Sequence, residues 1–256
     1  MEYRFEGMAT GFGEVARVYD RVRPGYPSAL FEHIDCKVFA LMGARILEVG
    51  SGTGIATVEL VKRGAAVAAV EPDRRMAAVL REKLSVSEVH EAPFERLRLP
   101  RASFDLVVAA QSWHWVRQRE GLRKASSLLR EGGFFVAFWN LGTVSDLRLA
   151  ASIVKTFSRI KREPPIFFRP RGLRQRIDLI EQSLARARDL VSLSRCEFSE
   201  IKEYRESAFM DLLATMSGVL ALPPSLRPEL LAEIRSTMPA KVVVEYRTVM
   251  LCAGRG

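Results

Sequence analysis

From Ala44 onward, short unbroken apolar runs alternate with segments of helical spacing. "ARILEVG" ends at Gly50 and reads as a strand buried on both faces. "TGIATVELVKRG" then places Ile55, Val58, Leu60 and Val61 at helical intervals, with Gly64 as the stop. "AAVAAVEP" predicts a second strand, and "DRRMAAVLREKL" a second helix with Asp73 as its N-cap. "VSEVHEA" is a weaker third strand and "SFDLVVAAQS" a fourth. "VRQREGLRKASSLLREGG" predicts a helix with a glycine stop, and "FFVAFWN" a fifth strand. Before this region, residues 10–40 read as helical entry segments broken at Pro24 and Pro27.

After Asn140 the pattern changes. "DLRLAASIVKTFSRIK" is helical, and "REPPIFFRPRGLRQR" is a basic stretch interrupted by prolines. "VSLSRCEFSEI" is a strand candidate; helical stretches follow near 207–220 and 229–237, and "AKVVVEYRTVMLCAG" closes the chain as a strand. The alternation implies an α/β fold: a doubly wound, Rossmann-like, seven-stranded, mostly parallel sheet with its last strand antiparallel, helices on both faces and a helical cover. With no repeat or linker, residues 1–256 read as one domain. Within it, 1–40 form an N-terminal helical lid, 41–140 a binding core and 141–190 a basic cover. Residues 191–256 complete the sheet. Ligands of such sheets lie at the carboxyl ends of the strands, where Gly50, Glu71, Glu91 and Gln111 fall.

Composition narrows the function classes. Apolar residues are 48% and charged residues 27%, an ordinary globular balance. No apolar run approaches the ~20 residues of a membrane span, and the N-terminal decapeptide lacks a secretory h-region. Cys36, Cys196 and Cys252 are far apart and form no CxxC pair, which argues for a reducing cytoplasm and against a zinc site. The net charge of +9 fits either an anionic partner or a plainly solvated surface.

The most specific signal is "ILEVGSGTGIATVEL", residues 46–60. It has no lysine after its last glycine, so it is not a phosphate-cradling P-loop. Its GxGxG is one residue short of the dinucleotide fingerprint GxGxxG. What fits is an acid, Glu48, two residues before the glycines and a second, Glu71, ending the next strand. This pattern resembles the first motif of class I S-adenosylmethionine-dependent methyltransferases. "VYDRVRPGYP", "VEPDRRM", "HEAPFERLRLPRASFDLVVAAQSWHWV" and "LLREGGFFVAFWN" extend the resemblance to a group that includes trans-aconitate methyltransferase-like enzymes. It covers residues 12–140 continuously and the final strand weakly. The loop "APFERLRLP" departs from the family's third motif by its extra basic residues.

The resemblance implies S-adenosylmethionine as cofactor, S-adenosylhomocysteine as product and no metal. It assigns cofactor contacts to Glu48, Gly50, Ser51, Gly52, Gly54, Glu71, Pro72, Met76, Ala92, Pro93, Phe94 and Gln111, with Tyr19 and Arg23 closing over the methionine carboxylate. Glu48 would lie near the ammonium group, Glu71 would accept both ribose hydroxyls, and Phe94 would stack on the adenine. "AAQSWHW" would end beside the reactive sulfonium.

His114 is the histidine placed to face an acceptor, either as a general base or as one wall of the pocket between two tryptophans. Tyr26, Trp113, Trp115, Trp139, Arg169 and Arg171 are candidate acceptor contacts. Eight Lys or Arg between Lys155 and Arg176 face one acid, Glu163. Such a cover suits a carboxylate or phosphate, and could also track nucleic acid. The absence of an NPPY-type tetrapeptide ("FWNL" stands in its place) and of an RNA-binding signature favours a small acidic or amphipathic methyl acceptor. The alternatives are an RNA or tRNA methyltransferase and a non-catalytic cofactor-binding protein. No membrane insertion is expected, and the sequence leaves oligomeric state open.

Overall fold

The computed structural model describes residues 11–84, 88–168 and 170–256. Arg169 and part of the third strand run therefore lie outside the described residues, and the side chain of Arg171 is not described. The elements are α1 (Ala16–Val22), α2 (Ser28–His33), β1 (Arg45–Val49), α3 (Ile55–Lys62), β2 (Ala66–Val70), α4 (Arg74–Lys83), β3 (Glu88–His90), β4 (Phe104–Ala110) and α5 (Gln118–Leu128). They continue with β5 (Leu129–Val144), α6 (Leu147–Arg159), α7 (Pro170–Ala185), β6 (Leu190–Arg205), α8 (Glu206–Ala214), α9 (Ser217–Leu220), α10 (Arg227–Ser236) and β7 (Lys241–Arg255). The seven strands form one mostly parallel sheet with an antiparallel pair, ordered β3-β2-β1-β4-β5-β7-β6, with helices around it.

The chain divides into two compact units. The larger comprises Gly25–Asn140, Arg176–Phe198 and Thr248–Gly256; the smaller comprises Leu141–Gln175 and Ser199–Arg247 with residues 11–24.

In the larger unit, β1 pairs in parallel with β2 and β4, so Ile46 lies opposite both Val67 and Leu106. Every β1 residue after Arg45 is buried, as expected where helices cover both faces of a parallel sheet. One core cluster joins Leu30, Phe31 and Ile34 to Ile46, Leu106, Val136 and Phe138. The Asp73 carboxylate accepts from the amide of Arg75 at 2.9 Å, the N-cap expected for α4.

The glycine stop expected after α5 is replaced by a strand that starts at once. The β4–β5 ladder jumps from Phe104–Leu129 to Leu106–Phe134, so Arg130–Gly133 bulge within β5. Gly132 has φ +73°, and a Cβ on Gly133 would lie 2.8 Å from the Asp105 carbonyl. These glycines thus shape a bulge, with Leu129 already paired.

In the smaller unit, Phe157, Phe209, Leu213 and Val244 pack into one cluster. The basic stretch stays without α-helix through Pro164 and Pro165, as expected, but from Pro170 onward it is part of helix α7, with that proline as the first residue. α6 is capped by Asp146, whose carboxylate accepts from the amides of Arg148 and Leu149 at 2.8 and 3.1 Å. Replacing Asp146 with Ala removes both bonds and should lower stability by about 1 kcal/mol, as measured by urea unfolding.

Candidate functional site

β1 delivers Glu48 and Val49 to the sheet's carboxyl edge, and the chain then turns through three glycines, all in the left-handed region. Gly50 (φ +68°) and Ser51 donate their amides to the Val70 carbonyl at 2.7 and 3.0 Å, bonding the loop to the end of β2. A Cβ on Gly50 would come within 2.5 Å of Ser112 Cβ. Gly54 (φ +82°) caps α3, where an added Cβ would meet Leu80 Cδ1 at 2.3 Å. The positive φ favours glycine at both positions, and at Gly50 the nearby Ser112 Cβ leaves no room for a side chain either.

Two carboxylates flank the loop. Glu71 accepts from the amides of Gly52 and Asp73, each at 2.8 Å, one on each oxygen. Glu48 accepts from Thr57 Oγ1 at 2.6 Å in a fully buried pair. Burial pushes both carboxyls up to about 7; the amide bonds pull Glu71 partly back, while Thr57 does the same for Glu48 against repulsion from Glu71. Ser51 Oγ and Thr53 Oγ1 are buried without a hydrogen-bond partner among the described residues. Buried hydroxyls of this kind need a partner, either an ordered water or a ligand. Two buried acids make the edge hostile to pyrophosphate and receptive to hydroxyl donors or a cation. A nucleoside bearing an amino acid fits this donor and acceptor set.

The remaining predicted contacts divide. Met76 is buried, its Cε 3.5 Å from where a Cβ on Gly52 would stand; Pro72 beside Glu71 is half-buried. Ala92 is half-buried and Pro93 exposed. Phe94 is buried against Trp113, ring centroids 5.8 Å apart, so its ring is taken up by core packing rather than left open for stacking. Gln111, with φ +57°, donates Nε2 to the Asn140 carbonyl at 3.1 Å. Glu91 is ion-paired with Arg74 and Arg81.

Tyr19 and Arg23 belong to the smaller unit. There the Arg23 guanidinium lies 4.6 Å over the Tyr19 ring and donates to Thr215 Oγ1 and the Thr215 carbonyl at 3.1 and 2.7 Å.

Among the acceptor candidates, Trp113 and Trp139 are fully buried, so neither ring presents a surface to a small molecule. Tyr26 packs edge-on against Phe138 at 4.7 Å, and Trp115 lies beside the His114 ring at 4.8 Å. His114 Nδ1 accepts from Trp139 Nε1 at 3.1 Å. Burial and the Arg176 guanidinium push the imidazole down to about 3. A general base needs an open lone pair and a proton affinity near the working pH; His114 has neither. The general-base expectation is therefore not supported: the ring is neutral and its Nδ1 lone pair is taken by Trp139.

Several residues that shape this region escape sequence reasoning. Ser112 donates Oγ to the Val49 carbonyl, locking the end of β4 to that of β1. Lys124 donates Nζ to the carbonyls of Phe94, Glu95 and Leu97, gathering the segment after β3 around one ammonium. Asn140 donates to the Gly25 carbonyl at 2.9 Å and accepts from Thr248 Oγ1 at 2.7 Å. Its one visible signal was a polar residue ending the apolar run "FFVAFW". Among the described residues no cluster suits a metal ion, and no helix is long and apolar enough to cross a membrane.

A Rossmann-like sheet with an acid-flanked GxGxG loop at its carboxyl edge is an arrangement that fits a methyltransferase. Residues 47–137 match the family model described as methyltransferase domain. The chain is 37% identical over 145 residues to an uncharacterized methyltransferase of Mycobacterium tuberculosis, a match covering 55% of this chain and 58% of that protein. The chain thus matches a little over half the length of that curated relative. In fold it is similar to a candidate type II methyltransferase of Anaeromyxobacter dehalogenans, with a TM-score of 0.66 and 24% identity over 91% of this chain and 97% of that one. It is also similar to the phosphoethanolamine N-methyltransferase 2 of Haemonchus contortus, solved with phosphomonomethylethanolamine and S-adenosylhomocysteine, with a TM-score of 0.52 and 14% identity over 95% of this chain and 57% of that one.

The raised carboxyls set a pH dependence. Between the unfolded value near 4.5 and the folded value of about 7, the native state holds protons that the unfolded chain has released. Without ligand, stability should therefore fall as pH rises from about 5 to 8, by at most about 3 kcal/mol per carboxyl. Urea unfolding across this range should show the decline, and Glu48→Gln or Glu71→Gln should each flatten it.

Proposed function

We propose that the protein is an S-adenosylmethionine-dependent methyltransferase acting on O or N of a small acidic or amphipathic molecule. The observation that carries the reading is the pair of buried carboxylates, Glu48 and Glu71, beside a glycine loop whose Ser51 and Thr53 hydroxyls lack partners among the described residues. When bound, the cofactor supplies a sulfonium methyl group open to in-line attack. Glu71 keeps a lone pair on each oxygen beyond its two amide bonds, enough to accept both ribose hydroxyls. Glu48 favours an ammonium group, which would in turn restore its ionised form. The Ser51 and Thr53 hydroxyls and the first-turn amides of α3 supply donors for a carboxylate. The S-adenosylhomocysteine found with the Haemonchus enzyme supports this cofactor assignment.

The acceptor belongs at the end of β4, where Gln111–Trp115 turn away from the sheet. The Arg176 charge acting on His114 favours an anionic acceptor. Arg159 of the basic segment is ion-paired with Glu233, which removes one cation from a path along nucleic acid. The three described cysteines are all free thiols, in keeping with a cytoplasmic enzyme.

Calorimetry with S-adenosylmethionine, S-adenosylhomocysteine and NAD tests the cofactor. The first two should bind and NAD should not; binding of NAD alone would overturn the reading. Affinity for S-adenosylhomocysteine should rise with pH through about 7 as Glu71 ionises. Glu71→Ala should weaken it by about 10- to 100-fold. Turnover in a screen of carboxylic acids, phenols, amines and tRNA separates the small-molecule reading from the RNA reading and from a non-catalytic binder.

A further inference from the structure

His114 sits in the short turn Trp113–Trp115 that follows β4. Its one contact of known direction is the bond from the Trp139 indole. An indole nitrogen can only donate, so the imidazole nitrogen facing it must carry the lone pair. In a neutral ring the proton then resides on Nε2. Trp139 is fully buried, so this partner is held firmly in place. Protonating His114 would set an N–H against an N–H at 3.1 Å and leave a buried indole donor unsatisfied. The Arg176 guanidinium, the charged group acting on the ring, opposes protonation in the same direction, as does burial. Nε2 has no hydrogen-bond partner among the described residues, and the residue is half-buried.

We propose that His114 is a tautomer-locked hydrogen-bond donor that recognises an anionic oxygen of the methyl acceptor through Nε2–H, with Trp139 as the positioning residue that fixes the lock. Three features support this together. The lone pair is used, so the ring cannot draw a proton from the acceptor. The ring stays neutral across the physiological range, so its donor is present at every pH at which the enzyme works. The Arg176 charge makes the surrounding field favourable to a carboxylate or phosphate. The acceptor class that follows is one that brings its own negative charge. This inference deepens the methyltransferase reading and rests on it for the word acceptor; the state of the ring does not.

The ring can be followed directly. In protein labelled with ¹⁵N-histidine, the His114 signals are those lost in His114→Gln. Between pH 5.5 and 8 they should show one neutral tautomer, protonated at Nε2. A ring that titrates in that range, or that carries its proton on Nδ1, would overturn the lock. Trp139→Phe keeps the imidazole and removes the indole donor, and should produce a mixture of tautomers. Retention of the single Nε2–H tautomer in that variant would show that Trp139 is not the positioning residue.

Recognition is tested on protein saturated with S-adenosylhomocysteine, titrated with benzoate, phenyl phosphate, benzyl alcohol and benzylamine. Benzoate or phenyl phosphate should shift the Nε2–H resonance, and whichever does so identifies the anion. A response confined to the alcohol or the amine, or no response at all, would overturn the anion assignment. His114→Phe should weaken the responding anion by about tenfold or more, whereas His114→Gln, which keeps a donor, should stay within about threefold. Failure of S-adenosylhomocysteine to bind would sink the methyltransferase reading and leave the tautomer result standing.

Discussion

The bonds from the Gly52 and Asp73 amides to the Glu71 carboxylate hold the candidate site together. Through them the loop that ends β1 and the turn that ends β2 share one acceptor. An acid at this depth is costly unless it is bonded, and backbone donors are the least mobile partners available. Gly52 can present its amide because its φ is +58°, and Asp73 can because it also caps α4. The strand order then brings β4 alongside β1, and Ser112 closes the edge against Val49. Removing the acid would affect the loop, the helix start and the neighbouring strand end together.

Much of the fold was legible because a parallel sheet buried on both faces needs continuous apolar strands, and "RILEV", "AVAAV" and "FDLVVAA" show little else. Helix starts were legible where a side chain caps them, as at Asp73. The β5 bulge was not, because "REGG" carries the same glycine signal whether a helix stops or a strand buckles. The length of α7 was obscured by Pro170, which reads as a break although it stands at the helix's first position. The division into two compact units also left no mark in composition, since each unit is assembled from segments distant in sequence.

The cofactor side of the site was more readable than the acceptor side for a related reason. Glu48, the glycines and Glu71 follow one another along a single strand–helix–strand passage, so local spacing encodes their arrangement. Thr57, Lys124 and Asn140 act through tertiary bonds to Glu48, to the carbonyls after β3 and to Gly25, none of which sequence separation announces. The tryptophans misled because an aromatic residue near a strand end suits a pocket wall and a core equally well. Burial assigns Trp113 and Trp139 to the core, and the bond to Trp139 changes His114 from a proton acceptor into a donor.

The contact between Gly54 and Leu80 carries a consequence for how such sequences diverge. The space a side chain at 54 would need is filled from α4, a helix that reaches the loop from beyond the next strand. A side chain at 54 would therefore oblige the Leu80 side chain to shift or to become smaller. A homologue with Asn, the residue other than glycine most at ease in the left-handed region, at 54 should carry a smaller residue at 80. The inventory of tolerated loops is thus held on a helix whose own sequence looks like ordinary core.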